Sequence, residues 1–279
     1  MPEGDTIHRL ARRLTPVLLG QPIARLWVRD RTEVPAHTGA PIVAIEAVGK
    51  HLLVGIGDRH VLHTHLGMPG RVFVVPGPVT PTWDTGAIVA TATASVVWRS
   101  SRTARVSRRD DPGFLAALRR VGPDLLAAHV DLDDIVRRTY AASERDRPVA
   151  VALLDQSIAA GVGNVFRSEL MFASRYTPDT TVHALAPEAL RTLWALAQTM
   201  LQRGVADGHR DTVHVVDPRR GRALRRQDRL WTYAREHLGC RLCGTPIVRI
   251  TIGRPARSLY ICPRCQAPVR ISATADVRG

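Results

Sequence analysis

The sequence predicts an α+β chain of several units: an N-terminal helix with an antiparallel β-sandwich, a helical domain, and a small metal-bound β-hairpin. Three observations carry this reading. Apolar residues recur at helical spacing directly after Gly4, short Val-, Ile- and Thr-rich runs fill residues 22 to 106, and all four cysteines lie beyond residue 239. A chain of 279 residues, 45% apolar, has ample length to bury cores in one large or two ordinary domains.

The first helix follows from Ile7, Leu10, Ala11, Leu14, Val17 and Leu18, with Asp5 suited to its start and Gly20 and Pro22 to its stop. Pro16 is expected to kink or shorten it. Strands are expected at Ile42–Ala47, His51–Ile56, His60–His65, Arg71–Val75 and Ala87–Trp98, punctuated by Gly and Pro. The polar stretch Arg99–Gly113 reads as a loop or hinge. Helices resume at Phe114–Arg120, Asp133–Tyr140, Val149–Ile158, Val165–Arg175 and Pro187–Gln202, and Ala206–Arg229 reads as an arginine-rich loop. The predicted units are 1–120, 121–235 and 236–279. There are no internal repeats.

Charge narrows the function. The chain carries 39 bases against 25 acids, a net +14, and the bases are 38 arginines and one lysine, Lys50. Residues 1–199 hold 23 bases and 19 acids, whereas residues 200–279 hold 16 and 6. An arginine-for-lysine habit explains the identity of these bases but not their concentration, which points to a polyanion and first to nucleic acid. Anionic lipid is the weaker rival, because no basic amphipathic helix stands out. No run approaches the roughly 20 apolar residues of a membrane span. The acidic Met1–Asp5 opening is no secretory signal, so the expected address is the cytoplasm.

The cysteines form Cys240-x2-Cys243, eighteen residues, then Cys262-x2-Cys265. Doubled thiolate pairs at this spacing suit one tetrahedral, structural Zn²⁺; two disulfides are the alternative, disfavoured without a signal peptide. Strands Ile247–Ile252 and Ser258–Ile261 are expected around Gly253-Arg254-Pro255, and nearby His237 is not needed as a ligand. A second motif joins two helical stretches through Gly161 and Gly163, with Asn164 suited to cap the following helix. Its free N–H groups could then face a phosphate, although a plain glycine-capped helical hairpin is the reading this run alone favours.

Met1-Pro2-Glu3-Gly4, the segment Leu153–Leu170 and the terminal Cys-x2-Cys…Cys262-Pro263-Arg264-Cys265-Gln266 together resemble the formamidopyrimidine-DNA glycosylase/endonuclease VIII family, over the whole chain. The Asp5-Thr6 continuation is closer to its endonuclease VIII-like, actinobacterial branch. The resemblance implies a helix–two-turn–helix in the second unit and a zinc finger in the third. It implies a bifunctional enzyme of base-excision repair that acts on double-stranded DNA as a monomer, removing an oxidised base and then cutting at the abasic site by β,δ-elimination.

By that resemblance, Met1 is removed and the Pro2 nitrogen attacks sugar C1′, forming an imine that acts as the electron sink for elimination. A terminal amine titrates near pH 8 in model peptides, well below lysine's roughly 10.4, so it is readily unprotonated. Glu3 is then the general acid/base, Lys50 and Asn164 contact phosphate, Arg257 grips the flipped nucleotide's phosphates, and Met68 fills the gap left by the everted base. Taken singly, Pro2 is a helix-starting proline, Glu3 a helix-dipole partner, Met68 a core filler, and the rest solvated charges or caps. Two departures stand out. Thr6 replaces a second glutamate common in the family, and the Asp-Pro-Arg-Arg-Phe-Gly loop of the 8-oxoguanine branch is missing, with Arg108–Phe114 only superficially similar. The second and third void-filling residues are therefore unassigned, and the missing loop tilts the expectation toward oxidised pyrimidines. A non-catalytic, zinc-containing DNA-damage binder is the competing class; a plain zinc-ribbon adaptor leaves the N-terminal motif unexplained. Once Met1 is gone, only the Pro2 nitrogen and Lys50 remain as imine-forming amines.

Overall fold

A computed structural model of the chain describes residues 2–30, 32–221, 225 and 228–267. Helix α1 (Gly4–Leu18) buries Ile7, Leu10, Ala11, Leu14 and Leu18, the stripe that period 3.6 lays along one face. It packs on the sandwich and on the helical domain. Pro16 is accommodated in its last turn, and Gly20 follows with φ +77°.

The sandwich comprises β1 (Arg25–Val28), β2 (Thr32–Glu33), β3 (Ile42–Val48), β4 (His51–Ile56), β5 (His60–His65), β6 (Arg71–Pro76), β7 (Thr85–Ala90), β8 (Ala94–Arg99) and β9 (Thr103–Arg108). These form a five-stranded sheet, β2-β1-β7-β8-β6, and a four-stranded sheet, β3-β4-β5-β9, both antiparallel. Leu26, Leu52, Val54, Leu62, Val89 and Trp98 fill the shared core with α1.

Two expectations are corrected here. The run Ala87–Trp98 is two strands, because Thr91 Oγ1 accepts the Thr93 and Ala94 N–H groups and turns the chain. The polar stretch Arg99–Gly113 contains β9, an edge strand paired only with β5, where arginines on the solvent face are no obstacle.

Helix α2 (Pro112–Arg119), capped by the Asp111 carboxylate at Phe114 N (2.8 Å), leads out of the sandwich. The helical domain holds α3 (Leu132–Ala141), α4 (Val149–Ala152), α5 (Asn164–Ala173), α6 (Pro187–Ala206) and α7 (Thr212–Val216). Its core gathers Ile135, Phe166, Leu170, Trp194 and Leu201 and extends to Leu259 of the hairpin. The helix expected over Val149–Ile158 stops after one turn. Asp155 Oδ1 there accepts from Ser157 N at 3.0 Å, and Gln156 spans the turn from Leu154 O to Gly161 N. The loop expected over Ala206–Arg229 contains α7 and a 3-10 turn at Pro218–Arg220; several of its residues lie outside those described. Strands β10 (Val248–Ile252) and β11 (Arg257–Ile261) form the C-terminal hairpin.

Candidate active site

Pro2 lies before α1 rather than within it, since the helix starts at Gly4 with Glu3 in the cap position. Glu3 has no exposure. Its carboxylate leaves its own helix and crosses to the start of α5, accepting from Gly163 N (2.9 Å), Val165 N (2.8 Å) and Phe166 N (3.3 Å). An anion at a helix N-terminus is favoured by both the free N–H groups and the dipole. The phosphate expected at these N–H groups is thus displaced by the protein's own glutamate. Gly4 N–H donates to Gly161 O at 2.9 Å, and a Cβ on Gly163 would fall 2.4 Å from the Glu3 carboxyl carbon. Glycine at these turns is what lets the N-terminus approach so closely.

Lys50 occupies the β3–β4 turn, where Gly49 adopts φ +56° and leaves no room for a Cβ against Ala160. Its ammonium donates to Val162 O at 2.6 Å. Burial pushes the Lys50 pKa down to about 8, with Glu3 opposing and Arg257 and Arg210 adding to the shift. Pro2, Lys50, Met68, Asn164 and Arg257 line one cavity of about 610 Å³. Pro2 and Met68 also face an adjoining cavity of about 780 Å³, lined by Thr6, Arg210 and Tyr233. Met68 is 63% exposed, so it is no core filler.

Asn164 is not the expected cap. Gly163 holds the cap position, and the Asn164 amide donates instead to Ser258 O of β11 at 2.7 Å. Beside it is a residue the sequence reading missed. Arg167 is fully buried, donating to Asn164 Oδ1 (2.5 Å) and Ser258 O (2.6 Å). Burial and nearby Arg257 lower its pKa to about 10. Arg167 reaches the Lys50 cavity, its Nε makes no hydrogen bond, and the Glu3 carboxylate only partly opposes the effect of burial and Arg257. Glu169 was also missed. It is buried in α5, where its carboxylate accepts from Trp231 N, Thr232 N and Tyr233 N at 2.7 to 2.9 Å and so fixes the chain leading to the hairpin.

The four cysteine sulfurs lie within 4.8 Å of one another, away from these cavities. Two pairs, Cys243–Cys262 and Cys240–Cys265, have sulfurs 3.4 and 3.9 Å apart, and none is in a disulfide. Four thiolates at 2.3 Å from a tetrahedral zinc would stand about 3.8 Å apart, so the donor set fits such a metal.

Comparison with known proteins accords with this geometry. Residues 1–108 match the formamidopyrimidine-DNA glycosylase N-terminal domain, and residues 121–215 match the H2TH domain of the same glycosylase. The chain belongs to the formamidopyrimidine-DNA glycosylase/endonuclease VIII family. Among family members, Endonuclease 8 2 of Mycobacterium tuberculosis is 35% identical over 95% of this chain and all of its own length. DNA-(apurinic or apyrimidinic site) lyase Nei2 of Mycolicibacterium smegmatis is 34% identical over 95% of this chain and 99% of its own. The glycosylase fold is shared with Lactococcus lactis Fpg in complex with abasic-site DNA, at TM-score 0.77 and 20% identity, covering 96% of this chain and 100% of that one. Among the described residues, no helix is long and apolar enough to cross a membrane.

Proposed function

We propose that this family member is a bifunctional DNA glycosylase and abasic-site lyase working through Pro2. The observation that supports it is the Glu3 clamp on the α5 N-terminus, which brings Pro2 onto the same cavity as Lys50, Asn164 and Arg257. After Met1 is processed, the Pro2 nitrogen adds to C1′ and the damaged base departs with its bonding electrons. The C1′–O4′ bond then breaks, O4′ taking up, by way of Glu3, the proton that the Pro2 nitrogen gives up, and the resulting iminium acidifies C2′–H. Loss of that proton expels the 3′ phosphate, and a second elimination expels the 5′ phosphate. Three of about four acceptor positions on Glu3 are taken by backbone N–H groups, leaving one for proton transfer.

In this reading Lys50 and Arg257, with Asn164, hold phosphates around the flipped nucleotide, aided by the buried charge of Arg167. Met68, exposed on its loop, fills the vacated stack. Residues 1–120 form the catalytic unit, 121–235 the helix–two-turn–helix unit and 236–279 the hairpin. Cys240, Cys243, Cys262 and Cys265 hold one zinc ion, which contributes folding free energy to the hairpin and takes no part in the chemistry. The substrate is double-stranded DNA with oxidised bases, pyrimidines foremost, or abasic sites. The enzyme acts as a single chain in the cytoplasm, on nucleoid DNA.

Borohydride trapping on abasic DNA tests this. Wild type and Lys50→Ala should both yield an adduct that peptide mass spectrometry maps to Pro2. Pro2→Ala still offers a terminal amine after processing, so the site of attachment is the readout rather than its presence. An adduct on Lys50 in wild type moves the nucleophile there and defeats the reading, whereas none at all with confirmed Met1 removal and tight binding favours a binding-only paralogue.

A further inference from the structure

Asp5 stands three residues after Pro2 in the first turn of α1 and has no exposure. Arg210, from the α6–α7 connection, closes a two-pronged pair on it, Nε to Oδ2 at 2.9 Å and Nη2 to Oδ1 at 2.6 Å. Nη2 also donates to Thr6 Oγ1 at 2.9 Å, and the guanidinium carbon stands 5.1 Å from the Phe166 ring centroid in α5. Gly204 of α6 makes room, since a Cβ there would come within 3.2 Å of Asp5. Segments from α1, α5 and α6 thus meet at one guanidinium. The Asp5-Thr6 dipeptide that departs from the common family pattern is the part of α1 that Arg210 holds.

A bidentate arginine–carboxylate pair fixes orientation as well as charge. The Arg210 side chain is only 14% exposed, and it lines the same 780 Å³ cavity as Pro2. Its charge acts on both Glu3 and Lys50, the groups that flank Pro2. We propose that Arg210, locked on Asp5 and Thr6, is a positioning residue of the reaction: it seats the N-terminal turn, and its fixed positive charge helps keep the neighbouring Pro2 amine unprotonated. This rests on the reading of Pro2 as nucleophile.

Other charges face Pro2 as well. Arg9 and Arg13 of α1, Arg71 of β6, and His209 and Arg229 share the larger cavity, with the phenol of Tyr233. Lys50, His65, Arg102, Arg147, Asp155, Arg167, Arg254 and Arg257 share the other, and Glu3 lies behind. Within the larger cavity Arg210 is the arginine that is enclosed and held two-pronged by a buried carboxylate, so solvent screens it little. Arg9 Nη2 also stands 3.6 Å from Asp5 Oδ2, so two guanidiniums share one carboxylate and the cluster carries net positive charge; removing Arg210 lowers that charge and removing the Asp5 carboxylate raises it.

The experiment is the pH profile of the borohydride adduct on abasic DNA, with the attachment site mapped at each pH. Arg210→Gln removes a cation and leaves the Asp5 carboxylate to Arg9 alone, so protonated amine is favoured and the acid limb should move up by about one pH unit. Asp5→Asn strands the guanidinium, and the limb should move down by a similar amount. Arg210→Lys keeps the charge but loses the fork, so it should lower the trapping rate with little shift. Asp5→Asn, which preserves side-chain shape, carries the test alone if Arg210→Gln does not fold. Unmoved limbs, or shifts in the same direction, with the adduct still on Pro2 overturn the inference while leaving the nucleophile intact. An adduct elsewhere overturns the reading beneath it.

Discussion

Glu3 Oε2 and the backbone N–H of Gly163 lie 2.9 Å apart, joining residues 160 positions distant across the two principal units. The contact needs both a buried carboxylate and a residue with no side chain. Gly163→Ala should therefore push Glu3 off the α5 N-terminus. Overpacking of this kind costs about 1–3 kcal/mol. Because Pro2 directly precedes Glu3 and is carried by it, adduct formation should fall at least tenfold while binding to abasic-site duplex weakens less. Thermal melting and trapping rates on the same preparations check this; a variant with wild-type trapping would show that the clamp is not needed.

Lys50 supplies a pH prediction. With its pKa lowered to about 8 by burial, the free protein carries the ammonium below that pH and loses it as pH rises through it. A phosphate contact needs the charged form, so affinity for abasic-site duplex should decline above pH 8. Lys50→Arg, charged throughout, should flatten the decline. Fluorescence anisotropy between pH 6.5 and 9.5 measures both.

Met68 offers a way to separate base eversion from later chemistry. Met68→Ala should slow excision from duplex DNA about tenfold, since an unfilled stack favours return of the base. Strand cleavage at a preformed abasic site in single-stranded DNA should be nearly unaffected. Equal losses on both substrates would assign Met68 a structural role.

Metal removal should act at a distance. The hairpin delivers Ser258 O to Asn164 and Arg167, so chelation should loosen that corner as well as the cysteines. DNA affinity should fall with release of one zinc per chain and return when Zn²⁺ is restored under reducing conditions. Zinc release followed alongside anisotropy is the measurement.

Local signals were legible because they are local. The apolar stripe of α1, the short apolar runs of β4 and β5, and the cysteine doublets each announce themselves within about twenty residues. The gathering of Pro2, Lys50, Met68, Asn164 and Arg257 on one cavity was expected only through the family resemblance, since no periodicity links positions so far apart. What stayed hidden were buried ion pairs and carboxylates whose partners are remote. Asp5 looked like a helix start and Arg210 like one more loop arginine, yet they meet across 205 positions. Glu169 read as an ordinary polar residue in a helix, although it holds three successive backbone N–H groups around residue 232. Asn164 was misread for a related reason. Capping rules rank side chains by their own helix, and a glutamate from elsewhere had already taken that position.

The sequence contains one lysine, and its ammonium is turned inward to Val162 O. Acylating reagents and reductive alkylation, which ordinarily decorate a protein at many exposed amines, therefore have two addresses here after loss of Met1. The terminal imino group opens on both cavities, while Lys50 reaches one of them with its ammonium held against Val162 O. A fluorophore or affinity handle applied near neutral pH should thus enter at the N-terminus in one-to-one stoichiometry and report on occupancy of those cavities without an engineered attachment point.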